Sequence, residues 1–64
     1  MPLIRVEMLK GRTQEQKRSL VKELTNSLIK TCGGAPEAVD VIITDIEKEN
    51  WSVGGKLFSD QNQN

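Results

Sequence analysis

The chain has 64 residues, with nine Lys/Arg balanced by nine Asp/Glu, a single cysteine and no histidine or tyrosine. Residues 1–64 suffice for one domain and no second fold, and chains this short close their cores with disulfides, a metal or oligomerisation. One cysteine excludes an internal disulfide framework, no Cys/His cluster can be written for a closed zinc site, and zero net charge gives no pull toward nucleic acid or an anionic membrane, so oligomerisation is what remains.

Residues 3–9, Leu-Ile-Arg-Val-Glu-Met-Leu, alternate with period two: Ile4, Val6 and Met8 on one side, Arg5 and Glu7 on the other. This predicts a first strand. Thr13 followed three residues later by Gln16 has the form of a capping box, so a helix is expected from about Gln14. Along it Leu20, Val21, Leu24, Leu28 and Cys32 share one arc, opposite Glu15, Ser19, Lys22, Glu23, Asn26 and Lys30. Gly33-Gly34 and Pro36 end the helix near Cys32. Residues 39–46 are rich in β-branched side chains and apolar at most positions, as in a strand covered on both faces.

A strand, a helix and a strand make an α/β fold, a βαβ protomer with two parallel strands joined by a right-handed crossover. One helix covers one face of two strands, so covering the other face requires another chain. From Glu47 to Phe58 the chain holds Trp51 and Gly54-Gly55, which predict a short C-terminal hairpin. Asp60 to Asn64 is polar and expected to fray. No apolar run is long enough for a bilayer span or a signal peptide, and with the lone thiol this suggests a cytoplasmic setting.

Without histidine, the neutral-pH proton carriers left are carboxylates, lysines, Cys32 and the chain terminus. Proline at position 2 stands out, because trimming of Met1 exposes a secondary amine. A free α-amino group titrates near 7.7 to 8.0, and desolvation lowers that value, so a terminus opening a covered strand can act as a general base at neutral pH. Proline at position 2 also occurs without any such role. Cys32, at the end of the apolar arc, reads as a buried inert thiol rather than a nucleophile. Lys10 and Lys56 read as solvated cations.

Four stretches carry a family likeness: Met-Pro-Leu-Ile at the start, Leu9-Lys10-Gly11-Arg12-Thr13-Gln14-Glu15-Gln16-Lys17 before and into the helix, Val41-Ile42-Ile43-Thr44 in the second strand, and Asn50-Trp51-Ser52-Val53-Gly54-Gly55 after it. In register over about nine-tenths of the chain, they make the sequence resemble the 4-oxalocrotonate tautomerase family. The resemblance implies that Pro2, freed of Met1, is the catalytic base that moves a proton from a dienol to another carbon. It implies that Arg12 binds a substrate carboxylate and that Trp51 walls the pocket, although Trp51 also fits an oligomer interface. It further implies an isomerase that needs no cofactor and acts on a small-molecule carboxylate. Such an enzyme is a homo-oligomer with a dimer building block, a hexamer in full assembly, and has a place in aromatic hydrocarbon catabolism.

One position departs from the family pattern. Where the best-known members carry a second arginine, this chain has Asp40, which disfavours a dicarboxylate by about 1 to 4 kcal/mol for charges 4 Å apart. A monocarboxylate such as a 2-hydroxydienoate or an aryl enol pyruvate fits better. Asp40 can alternatively activate water, as in hydratase or dehalogenase relatives, or pair with a lysine at an interface. Loss of the arginine also fits a non-catalytic assembly module.

Overall fold

The structure is a computed structural model and describes residues 1–61. Strand β1 (Leu3–Leu9) is followed by helix α1 (Gln14–Cys32) and strand β2 (Asp40–Ile46), and the two strands pair in parallel from Leu3 with Asp40 to Leu9 with Ile46. A hairpin of β3 (Ser52–Val53) and β4 (Lys56–Leu57) runs into a four-residue helix α2 (Phe58–Gln61). The fold is thus the α/β protomer expected, with a shorter C-terminal element than the central unit.

The ends of α1 follow from local chemistry. The Thr13 hydroxyl accepts from the Gln16 amide at 3.1 Å, and the Gln16 side-chain oxygen accepts from the Thr13 amide at 2.9 Å. Two of the four amides that a helix start leaves without partners are thereby satisfied. At the other end Gly33, at φ 86°, donates its amide to Ile29, a conformation in which a β-carbon is strained. Leu20, Val21, Leu24 and Leu28 are half-buried, and the six residues placed on the opposite arc are exposed.

Cys32 corrects the sequence reading: it is exposed in the chain. The reason is length, since nineteen helical residues span about 28 Å while the seven-residue strands span about 23 Å, so the last turn of α1 overhangs the sheet. Strand β2 begins at Asp40 rather than 39, because Val39 closes a 3₁₀ turn over Pro36–Ala38. A second such turn, Lys48–Asn50, leads into the hairpin. Asp60 and Gln61, expected to fray, belong to α2, where the Gln61 side-chain Nε2 donates to the Lys56 carbonyl at 3.2 Å; the rest of that polar tail lies outside the described residues.

The alternation in β1 is observed: Ile4, Val6 and Met8 are half-buried while Leu3, Arg5 and Glu7 are exposed. On the same side of the sheet as these apolar residues, Lys17 of α1 forms an ion pair with Asp45 of β2. The opposite face is uncovered, with Leu3 and Ile42 each 45% exposed. No described residue is fully buried, and the radius of gyration is 15.2 Å against about 11 Å for a compact chain of this length. The covering of both faces that strand two suggests is therefore not met within one chain, where Ile42 stays exposed on the outer face.

Candidate functional site

Pro2 stands at the start of β1, exposed, with the 89% exposed Met1 before it. Its carbonyl accepts from the Asp40 amide at 3.0 Å, which extends the parallel ladder by one bond beyond Leu3. The ring fixes φ, so the ladder and the ring together set where the proline nitrogen points.

Arg12 lies at the other end of the sheet, in the turn between β1 and α1. Gly11 at φ 140° lets the backbone change direction there, and the capping box of Thr13 then fixes the start of the helix. Among the described residues the Arg12 guanidinium donates only to the Leu9 carbonyl, at 3.4 Å, a long bond that leaves most of its five N–H groups for a ligand. The turn is tied down on its β1 side by the Lys10 amide donating to the Ile46 carbonyl at 2.9 Å and by the Lys10–Glu47 ion pair at 3.1 Å.

Trp51 is at the same end, half-buried where the second 3₁₀ turn meets the hairpin. Its ring packs against Phe58 at a centroid separation of 6.1 Å and a tilt of 39°. The Phe58 amide donates to the Trp51 carbonyl at 2.8 Å. With Glu7, Ile46, Asn50 and Ser52, Trp51 lines an open recess of about 350 Å³ on the uncovered sheet face. Phe58, Glu7 and Asn50 were not singled out by the sequence reading. The signal for Phe58 was present: glycines at φ 64° and 84° make a two-residue turn whose ladder pairs Ser52 with Leu57, and the next pair outward is Trp51 with Phe58.

The chain therefore brings Arg12 and Trp51 to one end of the sheet and Pro2 and Asp40 to the other. Six residue steps of β1 at about 3.3 Å each put the two ends about 20 Å apart, several times the length of a small carboxylate substrate. Among the described residues no helix is long and apolar enough to cross a membrane.

A two-stranded parallel unit under one helix, opening on proline and trailing a glycine-turned hairpin, is the architecture of a very small tautomerase, and the model of the tautomerase enzyme family matches residues 2–61. The chain belongs to that family and is an isomerase. It is 43% identical over 60 residues to the 2-hydroxymuconate tautomerase of Bacillus subtilis, covering 94% of this chain and 97% of that one. It superposes on the crystal structure of YwhB, a homologue of 4-oxalocrotonate tautomerase, with a TM-score of 0.92, 41% identity, and coverage of 95% of this chain and 100% of that one. A 4-oxalocrotonate tautomerase from Chloroflexus aurantiacus, described as a heterohexamer, has a TM-score of 0.90 at 31% identity, covering 97% of this chain and all of that one.

Proposed function

We propose that the chain, once Met1 is removed, converts an enol to a keto form in a small carboxylate of the 2-hydroxydienoate or enol-pyruvate type, with the Pro2 nitrogen as base and acid. The observation that carries this reading is the placement of Pro2, one exposed residue from the terminus and anchored through its carbonyl to β2. Removal of Met1 turns an amide nitrogen into a secondary amine with a free lone pair. The neutral amine takes a proton from the enol, the electron pair shifts through the conjugated system, and the resulting ammonium returns the proton to carbon. One turnover leaves the amine as it began, and no cofactor enters.

The Arg12 fork matches a substrate carboxylate and stabilises the charge of the dienolate. Trp51 supplies an apolar wall that excludes water and favours the neutral amine. Because Pro2 and Arg12 lie at opposite ends of one sheet, the working site takes them from different copies. This supports an oligomer of this chain; the Chloroflexus relative, described as a heterohexamer, is likewise an assembly of several chains. Asp40, joined to Pro2 through the backbone, puts an acid near the base and favours one carboxylate over two.

A complementation experiment tests the reading. Pro2→Ala and Arg12→Ala proteins, each strongly impaired alone, are unfolded together and refolded as a mixture. If the two residues meet across copies, random assortment gives about a quarter of the sites both wild-type groups, and activity returns to that order. Absence of recovery in well-assembled mixed oligomers contradicts the shared site.

A further inference from the structure

The recess beside Trp51 carries an acid that carboxylate binding at Arg12 does not explain. Its apolar walls are Ile46 and the Trp51 ring, which Phe58 backs at 6.1 Å, and its polar groups are the side chains of Glu7, Asn50 and Ser52. These three come from separate elements: β1, the last residue of the second 3₁₀ turn and the first residue of β3. Among the described residues none of the three makes a side-chain hydrogen bond or ion pair. A carboxylate, an amide and a hydroxyl thus stand uncommitted around one space of about 350 Å³. No cation lines it: Lys10, three residues on from Glu7, is held by Glu47, and Arg5, on the same sheet face as Glu7, lies outside the recess.

This arrangement sorts ligands by their two ends. The Arg12 guanidinium is held at the Leu9 carbonyl, and Glu7 lies two residues back along the same strand, about 6.6 Å away, roughly the span of one substituted six-membered ring. We propose that the recess takes the end of the substrate remote from its carboxylate, and that Glu7 selects a ligand whose remote end is a hydrogen-bond donor. The inference rests on the enol-to-keto reading and narrows its substrate class to an enol pyruvate whose aryl ring carries a hydroxyl or amino group para to the side chain.

The chemistry of each group supports that choice. An ionised carboxylate only accepts, so Glu7 pairs with a hydroxyl or an amine and gains nothing from a bare ring edge. Asn50 and Ser52 each offer both a donor and an acceptor to the same substituent. The ring lies against Trp51, an apolar wall suited to a flat aromatic group. A carboxylate in the para position meets like charge and is disfavoured. Asp40 disfavours a second carboxylate beside Pro2, and Glu7 disfavours it beside Trp51.

Two measurements on the Met1-trimmed protein test this. Calorimetry compares the binding of phenylpropanoate and its para-hydroxy form, neither of which can react, to wild type, Glu7→Gln and Glu7→Ala. Kinetics compares aryl enol pyruvates with hydrogen, hydroxyl or carboxylate in the para position. Wild type is expected to bind the hydroxylated ligand about tenfold more tightly, the weight of one charge-assisted hydrogen bond. That preference falls to about threefold in Glu7→Gln and disappears in Glu7→Ala, while kcat/KM for the para-carboxylate substrate rises about tenfold in Glu7→Gln. A general defect in folding or assembly weakens both ligands alike, so the ratio between them isolates Glu7. Equal binding of the two ligands by wild type, or a preference that both variants keep, overturns the proposal. If Glu7→Ala does not fold, Glu7→Gln decides. A wild type that shows the binding preference and turns over none of the enols supports the recess assignment and contradicts the enol-to-keto reading, so the two fail separately.

Discussion

Asp40 and Pro2 are joined at the first bond of the parallel ladder, the Asp40 amide donating to the Pro2 carbonyl at 3.0 Å. The bond uses only backbone atoms, so side-chain changes at Asp40 leave Pro2 anchored while altering the charge beside it. Asp40→Arg is therefore expected to raise kcat/KM for a 2-hydroxydienoate with two carboxylates relative to one with a single carboxylate by about tenfold or more. Paired kinetics on the two substrates, at low ionic strength where charge effects are largest, checks this. An unchanged ratio means that position 40 does not face the substrate.

Arg12 holds its guanidinium on one long bond to Leu9, so its loss costs the fold little and the substrate much. Arg12→Ala is expected to lower kcat/KM about 10- to 100-fold, the weight of a charge-assisted hydrogen-bonded pair, without a measurable change in the unfolding midpoint. Arg12→Lys keeps the charge but not the fork and falls between. Equal loss of stability and activity contradicts a binding role.

The parts of this fold that were legible in the sequence are those with a local cause. Thr13 with Gln16 marked one end of α1 and Gly33 the other, and the alternation of Ile4, Val6 and Met8 marked the inner face of β1. The two 3₁₀ turns and α2 were not read, because three or four residues carry no periodicity. Cys32 was misplaced for a related reason: a helical arc says which side a residue faces, not whether the sheet beneath extends that far. Pro2, Arg12 and Trp51 could each be picked out singly. Pro2 and Arg12 flank β1 and so stand at its two ends, while parallel pairing puts Trp51, which follows β2, at the Arg12 end.

The capping box sets the start of α1 and with it the turn that carries Arg12. Thr13→Ala is expected to cost about 1 kcal/mol and Thr13→Ser a few tenths at most. Urea unfolding of the assembled protein at fixed concentration measures both. A neutral Thr13→Ala contradicts the role given to the cap.

Trp51 contributes through its ring, which rests on Phe58. Trp51→Phe keeps an aromatic pair and is expected to retain activity within about threefold, while Trp51→Ala opens the recess to water and loses about tenfold or more. The split between the two variants, in steady-state kinetics, separates a wall from a merely bulky surface residue.

The central claim is that the Pro2 nitrogen is the base, and the direct measurement is the rate of enol-to-keto conversion of an aryl enol pyruvate by Met1-trimmed protein, Pro2→Ala protein and protein retaining Met1. The account predicts that only the trimmed wild type is fast. Because the neutral amine is the active form, its rate rises with pH and levels off above a pKa lying below the 7.7 to 8.0 of a free α-amino group. Three forms of equal rate, or a trimmed protein no faster than the one retaining Met1, contradict it.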